Sequence, residues 1–270
     1  MVDDQEIRTV RQTPQTQVAA IGPAERERLR SGRVLIVGVG GLGTPAALCL
    51  ASAGVGTLGL LDDDSVEPSN LPRQILYGAA DVGRPKVEVA AEHLTALWPK
   101  LSVECVYRRL NADNLVEMFQ GFDFVIDGTD GIATKYLVND GAVLRGMPFS
   151  HAGVLGFCGQ ALTILPRRSA CLRCVFPIPP SDGDVPTCQE AGVIGAVAGT
   201  MGALQAAEAL KYLLGVGSLL TDRLLTYDGA RRQWRLVNIS PVRGCPLCGE
   251  APTIHRLEPI YVPAGGCQFE

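Results

Sequence analysis

The chain has 270 residues, 47% of them hydrophobic and 19% charged, with a formal net charge of −4. That is apolar content for one large core and an interface besides, while the mildly acidic balance argues against nucleic acid or a membrane surface as partner. The longest uncharged run, 34–61, outlasts a membrane span, but its seven glycines break it into strand, helix and strand.

Residues 1–20 are polar and carry Arg8 and Arg11, and they read as an arm without a core of its own. Residues 1–6 are acidic and no apolar stretch follows them, so no secretory leader is expected. A short charged helix begins at Pro23. An apolar strand over 34–37 ends in Gly38-Val-Gly40-Gly41-Leu-Gly43, small and apolar residues run on to Ala53 as a packed helix, and a second strand, 57–61, stops at Asp62. This is the pattern of a nucleotide-binding βαβ unit. A loop over 63–80 leads to a helix over 85–98 with Lys86 in its first turn, a strand over 101–107, a short helix over 111–119 and a third apolar strand, 122–127. That strand ends in Asp127-Gly-Thr-Asp130, and 132–144 reads as helical. Repeated β-α alternation predicts a Rossmann-like, mostly parallel sheet with helices on both faces.

The second half differs. Strands over 149–155 and 160–165 predict an antiparallel extension, and a long irregular segment, 166–192, carries Cys171, Cys174 and Cys188. Residues 193–214 read as one Gly- and Ala-rich helix, apolar except at Gln205, Glu208 and Lys211, hence buried and suited to a subunit contact. Two further strands, 223–227 and 233–239, precede Cys245-Pro-Leu-Cys248 and a tail.

Gly40 and Gly41 let backbone approach a ligand, and the following helix aims its N–H groups at an anion. Asp62, about 20 residues on, suits ribose hydroxyls. These features serve a dinucleotide or a triphosphate equally. The loop Asp62-Asp-Asp64-Ser-Val-Glu-Pro-Ser69-Asn70-Leu-Pro-Arg73-Gln74 and Lys86 favour the triphosphate, because its β and γ groups need cations. Asp130, on the same sheet edge as Asp62, suits Mg²⁺. Nine cysteines, four of them in two Cys-x-x-Cys pairs, suggest metal in a reducing, cytoplasmic setting rather than a disulfide scaffold. Cys171, Cys174, Cys245 and Cys248 supply four thiolates, enough for a closed, structural Zn²⁺ site with no open position. Cys49, Cys105 and Cys158 read as small core residues. Cys188 precedes a helix and is a candidate reactive thiol. None of His93, His151 and His255 lies in a nucleophile motif, so a His-driven hydrolase is not supported.

In this order GVGGLG, LLDDDSVEPSNLPRQ, GRPKVE, DGTD, CLRC, PTCQEAGVIG and CPLC resemble the MoeB/ThiF/HesA family, prokaryotic relatives of ubiquitin-activating enzymes, over roughly residues 8–249. The resemblance implies ATP- and Mg²⁺-dependent adenylation of the C-terminal Gly-Gly carboxylate of a small β-grasp sulfur-carrier protein. It implies that Gly38, Gly40, Gly41 and Gly43 form the phosphate turn and that Asp62, Asp64 and Ser69 belong to the nucleotide site. Asn70, Arg73, Gln74 and Lys86 would surround the triphosphate, Asp130 would bind Mg²⁺, and the four paired cysteines structural zinc. It further implies a homodimer in which Arg11 enters the partner's site, and a Cys188 able to link to the carrier. No rhodanese-like pattern is present, so sulfur is expected from a separate donor. The implied organisation is an arm (1–20), a nucleotide-binding α/β half (21–165), a zinc and crossover loop (166–192), a dimer and carrier-docking half (193–249) and a tail (250–270). Three departures stand out: Gly131 replaces the usual Asn, Lys135 the usual Arg, and the arm lacks its tyrosine. A nicotinamide or flavin oxidoreductase, or an inactive scaffold of the same fold, are the competing readings.

Overall fold

The computed structural model describes residues 21–180 and 188–257. Helix α1 (Pro23–Ser31) leads into β1 (Arg33–Val37), α2 (Gly43–Ala53), β2 (Thr57–Asp62), α3 (Lys86–Leu97), β3 (Ser102–Tyr107), α4 (Leu115–Phe119), β4 (Phe124–Asp127) and α5 (Ile132–Arg145). Then follow β5 (Phe149–Leu155), β6 (Cys158–Ile164), α6 (Leu172–Val175), α7 (Cys188–Ala191), α8 (Gly195–Leu214), β7 (Arg223–Asp228) and β8 (Gln233–Asn238). The strands form one sheet in the order β3-β2-β1-β4-β5-β6-β7-β8. The pairs from β3 through β5 are parallel, and those from β5 through β8 are antiparallel.

Strand alternation sorts the core into two layers. Val34, Ile36, Leu58 and Leu60 pack with Ala46, Ala47 and Leu50 of α2, Val87 and Leu94 of α3 and Ala206 and Ala209 of α8. Leu35, Val37, Val125 and Phe149 point the other way, onto Leu115, Leu137 and Val138 and onto Cys171 and Cys245. Chain order reverses beside β1, whose Val37 pairs with Leu61 on one side and Asp127 on the other. The glycine turn, Asp62 and the Asp127–Asp130 loop therefore leave the sheet side by side at its carboxyl edge, where open α/β sheets bind ligands.

The structure amends several expectations. The helix expected from Asn111 begins only at Leu115, because the Asn111 side chain accepts the Asp113 and Asn114 amides and closes a turn instead. The long helix α8 buries one face in its own fold, and two of its polar residues, Gln205 and Glu208, lie fully buried on that face. Gln205 Nε2 donates to Asp127 O and Ser150 O, and Glu208 Oε2 accepts from Thr163 Oγ1 and Leu220 N. Cys49 is half-buried and packs against the core as expected, while Cys105 and Cys158 are exposed and are not the core residues expected. Alternation placed them in apolar segments, but β3 is an edge strand and Cys158 opens β6 at its end. No helix among the described residues is long and apolar enough to cross a membrane.

Candidate active site

A cleft of about 1770 Å³ runs along the carboxyl edge, from the glycine turn to the β7–β8 hairpin. Its inner end is shaped by backbone contact. Gly38 has φ +83°, in the left-handed region that favours glycine, and a side chain on Gly43 would place Cβ 2.0 Å from Gly38 O. Gly38, Gly40 and Gly41 line the cleft, whereas Gly43 lies behind it and sets how closely α2 starts against the turn. Asp62 accepts from Val39 N at 2.7 Å and from Asp64 N at 2.9 Å, which fixes the carboxylate beside the turn. Burial raises its pKa, and the Lys86 charge and those two amides only partly oppose that.

Lys86 opens α3 with a side chain only 6% exposed, and its Nζ lies 2.6 Å from Asp64 Oδ2, whose side chain is 66% exposed. Arg73 lines the cleft and donates to Ser69 O at 2.8 Å. Gln74 is buried with its carboxamide against Gly40, and its Oε1 has no hydrogen-bond partner among the described residues. Asn70 is buried, donating to the hydroxyl of exposed Ser69, and this pair supports the Arg73 turn from behind the cleft surface. Asp130 is exposed on the cleft wall. A Mg²⁺ ion takes one or two protein carboxylates and completes its shell with phosphates and water, so the exposed Asp130 carboxylate fits one, as does the Asp62-Asp63-Asp64 group on the same cleft. Here the expected residues do converge: Gly38, Gly40, Gly41, Asp62, Asp64, Arg73, Gln74, Lys86 and Asp130 share one wall system. Ser69, Asn70 and Gly43 serve it from outside.

A second constellation on the cleft escaped the sequence reading. Asp127 is fully buried at the end of β4; His151 Nδ1, in register on β5, donates to it at 2.8 Å. Lys135 Nζ lies 3.3 Å from the same carboxylate and donates to Ala152 O at 2.5 Å. Burial alone would raise the Asp127 pKa, but the Lys135 charge and the His151 and Thr129 hydrogen bonds outweigh it and hold the carboxyl at about 2. Burial pushes the His151 imidazole below its ordinary value, with the Lys135 charge acting the same way. These shifts favour an ionised Asp127 and a neutral His151 in the triad. The first Asp of the Asp-Gly-Thr-Asp run and the departure at Lys135 hinted at it, and strand register, invisible in one sequence, brings His151 to them.

The four paired cysteines meet beneath α5. Their sulfurs lie within 4.8 Å of one another, with Cys171–Cys245 at 3.7 Å, Cys171–Cys174 at 3.9 Å and Cys174–Cys248 at 3.4 Å. A tetrahedron of Zn–S bonds of about 2.3 Å needs sulfurs about 3.8 Å apart, so the set fits zinc. Cys188 opens α7, and Glu190 two residues on lines the cleft. The Cys188 side chain and Arg11 lie outside the described residues.

The fold and cleft define a nucleotide-binding α/β enzyme with cations on its cleft wall and a four-cysteine knuckle. The chain belongs to the ThiF family, whose model matches residues 13–247. It is 44% identical over 242 residues to a sulfur carrier protein adenylyltransferase of Thermus thermophilus, covering 88% of this chain and 89% of that protein. It is 45% identical over 230 residues to the SAMP-activating enzyme E1 of Haloferax volcanii, covering 85% of each. Among solved structures it is similar to MccB of E. coli, with TM-score 0.80 and 21% identity, covering 92% of this chain and 74% of that one. This last likeness carries the fold alone.

Proposed function

We propose that this enzyme uses ATP to adenylate the C-terminal Gly-Gly carboxylate of a small β-grasp sulfur-carrier protein. A carboxylate oxygen of the carrier attacks the α-phosphorus, the bond to the pyrophosphate oxygen breaks, and pyrophosphate leaves with the electron pair. The attacking carboxylate is already ionised at neutral pH, so no general base is required. The enzyme's work is alignment and neutralisation of the charge that builds on the leaving group. Asp62 holds the ribose, and the glycine turn accepts phosphate oxygens at the start of α2. Arg73 and Lys86 bind the β and γ groups, with Asn70 and Gln74 supporting them. Asp130 holds Mg²⁺, which would add positive charge to the triphosphate, and the cysteine knuckle holds structural zinc. Arg11 completes the site of the partner subunit in a homodimer, Cys188 is available for a covalent link to the carrier, and sulfur arrives from a separate donor.

The observation that carries this reading is the Lys86–Asp64 pair. A nearly buried ammonium shares the cleft with the glycine turn and is held by a carboxylate that is two-thirds exposed. Asp64 can return to water when an anion takes its cation, which is what an incoming triphosphate requires. A nicotinamide cofactor has no γ-phosphate to place there. ATP–pyrophosphate exchange tests the reading: exchange is expected only with a Gly-Gly-ended carrier present. Bound NAD with no exchange would sink it.

A further inference from the structure

Arg173 is the residue of the cysteine knuckle that no nucleotide or zinc role uses, and its surroundings are unusually complete. It lies between Cys171 and Cys174 on α6 and is buried. Its Nε and Nη2 donate to the two oxygens of buried Asp140 at 2.7 and 2.6 Å, a bidentate fork onto α5. Its Nη1 donates to Pro177 O at 2.9 Å, and its guanidinium lies 4.9 Å from the centre of the Tyr136 ring. Tyr136, also on α5, shares its one hydroxyl proton between Phe176 O at 3.0 Å and Ile178 O at 3.1 Å. Three consecutive carbonyls, 176–178, are thus turned inward and held by two side chains.

The consequence appears on the other side of that segment. Residues 176–180, Phe-Pro-Ile-Pro-Pro, line the cleft, and with the 176–178 carbonyls engaged behind them they face it with apolar surface. Phe176 is 38% exposed and Ile178 80% exposed, uncovered apolar area of the kind that marks a contact surface. The three prolines have no N–H to offer a triphosphate. An extended Gly-Gly tail, which offers methylenes and backbone, would find a smooth wall stiffened by three prolines.

We propose that Arg173 and Tyr136 form a clamp that positions this wall against the carrier's C-terminal tail, so that the knuckle serves the second substrate as well as the fold. Both are positioning residues, acting through the 176–178 backbone. The inference rests on the proposed reaction for its substrate, and the test separates the two. Arg173→Lys keeps the cation but loses the fork, and Tyr136→Phe keeps the ring but loses both hydroxyl bonds while leaving the knuckle intact. With a Gly-Gly-ended carrier that supports exchange by the unaltered enzyme, each variant should raise the carrier KM, about tenfold for Arg173→Lys. The ATP KM should stay within about twofold and zinc content should be unchanged. Amide hydrogen exchange of the segment 172–178 should quicken in both variants without any carrier present. No carrier-dependent exchange by the unaltered enzyme would defeat the proposed function. Exchange by that enzyme with an unchanged carrier KM in Tyr136→Phe would overturn the clamp. So would equal rises in both KM values accompanied by zinc loss, since that is general unfolding of the knuckle.

Discussion

Two lysine–aspartate pairs stand in the same cleft and are built in opposite ways. In the pair at the glycine turn, Lys86 is buried and Asp64 exposed. In the pair at the end of β4, Asp127 is fully buried and Lys135 only 11% exposed, with His151 behind the carboxylate. Separating the first pair leaves a carboxylate that water can take over. Separating the second leaves a buried charge unpaired, which is costly. One pair can therefore exchange its partner for a phosphate, while the other is fixed framework at the loop that carries Asp130.

The largest effect expected from breaking this comparison is on stability. Lys135→Met should lower the free energy of unfolding by about 3–5 kcal/mol, measured by chemical denaturation, because Asp127 loses its buried cation. Lys86→Met should fold nearly as well, since the aliphatic stem remains and Asp64 is solvated. Its carrier-dependent pyrophosphate exchange should nevertheless fall about 10²- to 10³-fold, the scale of one lost charge-stabilising group. If the two variants exchanged phenotypes, with Lys86→Met unstable and Lys135→Met stable but slow, the assignment of fixed and exchangeable pairs would be reversed.

The same contrast explains what could be read from the sequence. The exchangeable site was legible because it is local. Gly38 to Gly43, Asp62, and Arg73 to Lys86 follow one another through one βαβ unit and its loop, so spacing alone places them together. The cysteine knuckle was legible for another reason: two Cys-x-x-Cys pairs carry a chemistry that needs each other at any separation. The fixed triad has neither advantage. Asp127, Lys135 and His151 come from β4, α5 and β5, and only the register Asp127↔His151 joins them. Helix α8 was only partly legible for a related reason. Gln205 and Glu208 stood out only as exceptions to its apolar pattern, and they serve as buried partners for strand-end backbone and for Thr163. Periodicity gives the polar face of a helix, but not whether that face meets water or unpaired backbone.

His151 sharpens the comparison through pH. Its folded-state pKa lies below the ordinary value, so the unfolded chain binds the extra proton first as the solution is acidified. The stability tied to neutral His151 is complete above about pH 6.5 and is lost as pH falls below it, by at most about 1.4 kcal/mol per pH unit for one proton. Asp127 adds its own loss only lower, between about pH 4 and its depressed value of about 2. His151→Gln should flatten the fall in unfolding free energy between pH 7 and 5.5 while leaving the loss below pH 4 in place. An unchanged slope would show that His151 is not the neutral member of the triad.

The smallest effect distinguishes two roles for Asp64. If it only parks Lys86, then it competes with the triphosphate, and Asp64→Asn removes the competitor. The pair has an exposed carboxylate, so the competition is worth about 0.2–1 kcal/mol, and the ATP KM should fall by a factor of about five or less. If instead the Asp64 carboxylate itself contacts the nucleotide or a magnesium ion, the same variant should raise the ATP KM. The sign of a few-fold change therefore decides whether Asp64 belongs to the bound complex or only to the empty cleft. A fall in KM would make Lys86 the exchangeable cation at this end of the cleft.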